Sequence, residues 1–186
     1  MTENTDQSQP EEKNAEAYNF GQLHVLLVEA NEFLREVLGS MLRELNFGHV
    51  EICRTPDQAF NYFRSHAVDL IVSDWAPGAE ELRFLKMART SPDSPNRMIP
   101  IIVVSAFSEL RHVEMARDLG MTEFLALPLS AKILYDHICA VIEHPRLFVE
   151  TPTYFGPDRR RHQVSFDGEE RRTHAPAETP GDQWKV

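Results

Sequence analysis

Gly156-Pro157-Asp158-Arg159-Arg160 and Gly168-Glu169-Glu170-Arg171-Arg172 repeat one pattern near the carboxyl end: glycine, any residue, acid, arginine, arginine. Arg161 extends the first copy, Tyr154 and Phe155 lead into it, and Phe166 stands ahead of the second. Arginine forks onto phosphate oxygens in a bidentate way and onto the O6/N7 edge of guanine. A carboxylate can accept from the N1 and N2 donors of the same base, and aromatic rings or arginine can stack on its face. The chemistry within reach is recognition of a guanine nucleotide, and two copies suit two bases and two phosphates. Its carriers would be Tyr154, Phe155, Asp158, Arg159, Arg160, Arg161, Arg171 and Arg172. Two plainer readings stand beside it. Residues 151–186 hold six basic and six acidic residues that could pair in a solvated tail, or the arginines could dock on an acidic domain.

A second group of reactive side chains closes apolar runs. Glu29 follows Val25-Leu26-Leu27-Val28, Asp74 follows Leu70-Ile71-Val72-Ser73, and Ser105 closes Ile101-Ile102-Val103-Val104. Such runs read as strands buried on both faces. Between them, Phe33, Leu34, Val37, Leu38, Met41, Leu42 and Leu45 trace one helical face. Thr55-Pro56-Asp57-Gln58 carries a capping Thr, a Pro in the first turn and a Gln three positions after the cap. Further helices are predicted near 80–89, 109–119 and 131–143, with Gly120 stopping the second of these. Strands alternating with helices imply a parallel doubly wound α/β sheet, (βα)₅, and ligands of such sheets bind beyond the carboxyl ends of the strands. Glu29, Asp74 and Ser105 all fall there.

Charge and pattern divide the chain into three. Residues 1–20, with five acids and one Lys, are expected to be disordered. Residues 21–146 form the folded domain, and residues 147–186 are expected to be a disordered arginine-motif tail without a period of 3.6 or 2. The net charge of -10 argues against a non-specific nucleic-acid binder. No run of about 18 apolar residues is present to insert into a membrane. Two distant cysteines, Cys53 and Cys139, suit a reducing, cytoplasmic setting. Cys139 falls on the apolar face of the last helix, which points to packing. Eight histidines show no HExxH or HxH spacing, so no zinc site is read from them.

The strings HVLLVEAN, DLIVSDWAP, IPIIVVSA and EFLALPLS, in this order and spacing, resemble the receiver domain of response regulators, the CheY-like family. The resemblance spans residues 22–144. It implies a flavodoxin-like fold with strand order 2-1-3-4-5, an order the general rule for such sheets already associates with CheY. It also implies phosphorylation of Asp74, with Glu29, Asp74 and the Ala76 carbonyl holding Mg²⁺, Ser105 as pocket and switch hydroxyl, and Phe124 as switch aromatic. A cis bond before Pro128 belongs to the same pattern. Three departures stand out: Ala30 where a second acid is usual, Leu127 where a lysine is usual, and a loop after Asp74 one residue shorter than usual. These weaken the Mg²⁺ site and remove the cation that would face a phosphoryl group. The expected protein is a non-enzymatic adaptor with a degenerate pocket; the alternative is an ordinary phosphorylated response regulator fed by a histidine kinase. The arginine-rich extension resembles those of CheY-like cyclic di-GMP effectors. That likeness implies cyclic di-GMP as the tail's ligand and a protein partner such as the flagellar motor switch.

Overall fold

The computed structural model describes residues 18–75 and 82–159. Five strands, β1 (His24–Val28), β2 (His49–Cys53), β3 (Leu70–Asp74), β4 (Ile101–Ser105) and β5 (Glu123–Ala126), form a parallel sheet in the order β2-β1-β3-β4-β5. Helices α1 (Glu32–Glu44), α2 (Pro56–Ser65), α3 (Arg83–Thr90), α4 (Leu110–Asp118) and α5 (Ala131–Glu143) cross over between or after them. This is the flavodoxin-like doubly wound fold expected.

The two-residue period of the strands sends alternate side chains to opposite cores. Leu26, Val28, Ile71, Ile101 and Val103 join one, with Phe60, Phe63, Phe84 and Leu85 from α2 and α3. Val25, Leu27, Leu70, Val72, Ile102 and Val104 join the other, with Leu38 and Leu42 of α1 and Leu134 and Ile138 of α5. Helix starts follow local chemistry: the side chains of Asn31, Thr55 and Ser130 accept from the backbone N–H of Leu34, Gln58 and Ile133, each satisfying one orphan donor of a first turn. Gly120, at a φ of 90°, ends α4 as its position predicted. Helix α3 starts at Arg83, after Leu82 in the left-handed region at a φ of 49°; residues 80–81 of the predicted helix lie outside the described residues.

Both predicted domain boundaries need correction. Phe20, assigned to a disordered leader, is 1% exposed and stacks on Phe47 with ring centroids 4.8 Å apart. Tyr18 beside it donates its hydroxyl to Glu143 at 2.7 Å. The larger correction is at the other end. The tail was expected to begin at residue 147, yet β6 (Phe148–Thr151) and β7 (Tyr154–Pro157) form an antiparallel hairpin, Phe148 opposite Pro157 and Thr151 opposite Tyr154.

The hairpin covers an arginine. Arg89, in the last turn of α3, is 1% exposed. Its Nε donates to Gly120 O at 2.8 Å and its Nη1 to Arg97 O at 2.8 Å, while the Phe148 ring lies 5.2 Å from its guanidinium carbon. Burial lowers its pKa to about 9, and Nη2 finds no hydrogen-bond partner among the described residues. Gly156 meets Gly120 backbone to backbone. A Cβ on Gly156 would stand 2.6 Å from Gly120 Cα, and one on Gly120 would stand 2.6 Å from Phe155 O.

Candidate functional site

Parallel strands end together, so β1, β3 and β4 deliver Glu29, Asp74 and Ser105 to one edge of the sheet. Glu29 is 3% exposed, and its Oε1 accepts the Asn31 N–H at 2.7 Å. Asp74 Oδ2 accepts the Ala30 N–H at 3.1 Å. Burial pushes the Glu29 carboxyl up to about 7, the Asp74 charge adding to the rise and the Asn31 amide opposing it. Burial likewise raises Asp74. Two carboxylates crowded into a partly dehydrated corner are a donor set that suits a hard divalent cation, and Mg²⁺ takes one or two carboxylates with several waters. Glu29 and Asp74 are the side chains that would hold it. Ala76, expected to add a carbonyl, lies outside the described residues, as does the short loop after Asp74.

Around this pair the remaining predicted residues take up defined positions. Ser105 is buried and its Oγ accepts the Phe107 N–H at 2.9 Å. Leu127 packs against the core shared with α1 and α5, and its N–H donates to Ser105 O at 2.9 Å. The Leu127–Pro128 bond is cis. Phe124 is half-buried and packs against the core on the opposite face of the sheet. Trp75, buried at 3% exposure, meets the His112 ring edge-on at 4.8 Å. Cys139 is buried in the core, as its helical position predicted.

Sequence reasoning missed Arg35. From the first turns of α1 its Nη1 donates to the carbonyls of Glu29 at 3.1 Å and Ala30 at 3.0 Å, with the side chain only 11% exposed. Its charge holds down part of the rise at Glu29. A lone arginine on a helix face carries no pattern that could have singled it out.

The first arginine motif sits at the opposite, amino-terminal edge of the sheet, separated from the carboxylates by strands of five residues, roughly 16 Å. Its groups are engaged by the protein itself. The Arg97 guanidinium lies 3.9 Å from the centre of the Phe155 ring, and Arg159 lies 4.1 Å from that of Tyr154. Arg159 also pairs with Asp118 at 3.2 Å, and Tyr154 Oη donates to Pro157 O at 2.8 Å. The Asp158 N–H donates to Leu147 O at 2.7 Å. Tyr154, Phe155, Asp158 and Arg159 are therefore brought together, and with them comes a docking contact on the domain. Arg160, Arg161, Arg171 and Arg172 lie outside the described residues. Among the described residues no helix is long and apolar enough to cross a membrane.

Residues 25–139 match the family model of the response regulator receiver domain. The chain belongs to that family. The receiver is 29% identical over 119 residues to the phosphate regulon transcriptional regulatory protein PhoB of Klebsiella pneumoniae, covering 63% of this chain and 51% of that protein. It is 23% identical over 122 residues to the chemotaxis protein CheY of Pseudomonas aeruginosa, covering 65% and 97%. It thus spans about half the length of the phosphate-regulon relatives. Among solved structures, the chemotaxis protein CheY4 of Vibrio cholerae superposes with a TM-score of 0.58 at 19% identity, over 64% of this chain and 98% of that one. A response regulator from Thermotoga maritima gives 0.56 at 18% identity, over 66% and 98%. These likenesses establish the fold, and the family places the receiver in signal transduction.

Proposed function

We propose that the receiver is a signalling adaptor, without turnover, whose output is partner binding and not phosphoryl transfer through Asp74. Leu127 carries this reading. An acyl phosphate forms when a carboxylate attacks a phosphoryl group whose charge is neutralised by a divalent ion and a fixed cation. Where the resemblance calls for that cation, a leucine packs into the core. Bound Mg²⁺ would supply charge neutralisation at Glu29 and Asp74, but Ala30 withholds the second acid of its loop. Arg35 is spent on two backbone carbonyls. The partner is a protein, with the flagellar motor switch as the candidate the resemblance supplies. Asp74→Asn tests the reading in a partner-binding or motility assay: the variant should keep wild-type output. Loss of output would return the receiver to the phosphorylated class, with Asp74 as acceptor and a histidine kinase upstream.

A second reading concerns the tail, and the repeated motif favours it: cyclic di-GMP as the ligand of the arginines. The first copy is held on the domain, so a nucleotide that reads Tyr154, Phe155 and Arg159 must displace Asp118 and Arg97. Arg160, Arg161, Arg171 and Arg172 would supply the remaining forks. Lysine keeps the charge but loses the planar fork. Titration with cyclic di-GMP and cyclic di-AMP should therefore show preference for guanine, with a loss of about 1–3 kcal/mol for each bidentate contact removed. Arg159→Lys/Arg160→Lys should weaken binding more than Arg171→Lys/Arg172→Lys, since Tyr154 and Phe155 flank only the first copy. Equal affinity for both nucleotides, or indifference to both double variants, would leave the arginines a docking role only.

A further inference from the structure

At the amino-terminal edge of the sheet, the start of β3, the loop ahead of β4, the last turn of α5 and the first residue of the hairpin partly enclose a cavity of about 320 Å³. Small-molecule pockets occupy about 300–1,000 Å³ and are largely apolar with a few placed polar groups. Here Leu70, Met98, Val141, Ile142 and Phe148 supply apolar wall, and Asp69, Asn96, Thr122 and Arg146 supply the polar groups. Glu29, Asp74 and Ser105 stand at the other edge, so the cavity is separate from the carboxylate pocket. We propose that it binds a small organic anion, an aliphatic monocarboxylate, with its head at Arg146, Asn96 and Thr122 and its chain along the apolar wall.

The hydrogen bonds already made decide the sign of the ligand. Thr122 Oγ1 accepts the Ile101 N–H at 3.0 Å, and Asn96 Oδ1 accepts the Met98 N–H at 2.9 Å. With those oxygens in use, the two side chains offer a ligand a hydroxyl O–H and amide N–H groups, and the Arg146 guanidinium carries donors only. Asp69 is the only acid among the described lining residues, and its Oδ2 already accepts the His24 N–H at 2.8 Å. A donor-rich site suits an acceptor-only head, which is what a carboxylate is. Charge points the same way. Phe148, a wall of the cavity, is also the ring 5.2 Å from the guanidinium carbon of Arg89. That guanidinium is buried, its Nε and Nη1 donate to backbone carbonyls, and Nη2 has no partner among the described residues. Carbonyls leave its charge unbalanced, and the neighbouring Arg97 adds a like charge. A buried, unbalanced cation is costly, and an anion seated against Phe148 would offset it across a medium that screens poorly. Phe148 is the only aromatic ring among the described lining residues, and the branched and flexible side chains around it fit an aliphatic chain. A bound acid would pin Phe148, and with it the hairpin, to the receiver.

The test is an NMR titration of the full-length protein with octanoate, octan-1-ol and octylamine, which share one chain and differ in the head. Octanoate should bind about tenfold more tightly than the alcohol, because hydrogen bonds to a charged group are the stronger kind. Octylamine should bind least. From butanoate to octanoate, affinity should rise by up to about fourfold for each added methylene. Shifts should centre on Met98, Thr122 and Ile142, and amides of 148–151 should exchange more slowly with octanoate bound. Arg146→Gln should bring octanoate down to the level of the alcohol; a thermal melt checks its fold, and the ligand series on the wild type decides the matter without it. Absence of octanoate binding, equal affinity for acid and alcohol, tighter binding of octylamine, or shifts confined to the arginine motifs would overturn the assignment.

Discussion

Gly156→Ala should loosen the β6–β7 hairpin from the receiver, at a cost of about 1–3 kcal/mol for forcing a methyl into a filled contact. The methyl would meet Gly120 Cα and Tyr154 Oη, both at 2.6 Å, and backbone atoms cannot step aside as a flexible side chain can. Gly120→Ala should cost more. Its Cβ meets Phe155 O at 2.6 Å, and its φ of 90° adds left-handed strain of about 1–2 kcal/mol. Denaturant unfolding gives the free energies, and hydrogen exchange locates the loss. In the wild type, amides of 148–157 should be protected along with the domain; in both variants that protection should fall while β1, β3 and β4 keep theirs. Fast exchange of 148–157 in the wild type would mean that the hairpin does not dock. The same contact shields Arg89, so loosening it gives water to a guanidinium that is now stacked beneath Phe148.

Restoring the two absent pocket residues should switch phosphorylation on. Leu127→Lys returns an ammonium to the position where the receiver resemblance calls for one, next to the strand end that carries Ser105, and the half-buried position lets its methylene stem lie along the core surface. Ala30→Asp returns a second acid to the loop after β1. One preorganised charge at a reacting centre changes rates by about 10²–10³, so the double variant should label with acetyl phosphate about a hundredfold faster than wild type. Equal rates would show that Leu127 does not limit the chemistry.

How much of this was legible depends on whether a contact is local. Strands β1, β3 and β4 announce themselves as apolar runs because they are buried on both faces, and a doubly wound sheet then has to put Glu29, Asp74 and Ser105 at one edge. The caps at Thr55 and Gly120 are equally local. The hairpin carried a signal that was outweighed: Val149, Thr151, Tyr154 and Phe155 are good strand formers around Pro152-Thr153, but four prolines and the arginines read as a tail. What fixes the hairpin is remote, since Arg89, Arg97 and Gly120 come from segments about 30–60 residues earlier. Within α3, Arg89 looks like a solvated charge, and only the assembled fold buries it. Phe20 was hidden for a similar reason, as one aromatic at the end of an acidic segment whose partner is Phe47. His24 and His49 lie 25 residues apart in the sequence, and only the register of two parallel strands makes them neighbours.

The most direct measurement of the central claim is the intact mass of the wild-type receiver after incubation with Mg²⁺ and acetyl phosphate. With Leu127 in place of a fixed cation and Ala30 in place of a second acid, nearly all of the protein should keep its unmodified mass. Rapid and near-complete addition of one phosphoryl group, abolished by Asp74→Asn, would contradict the adaptor reading and make Asp74 a working acceptor.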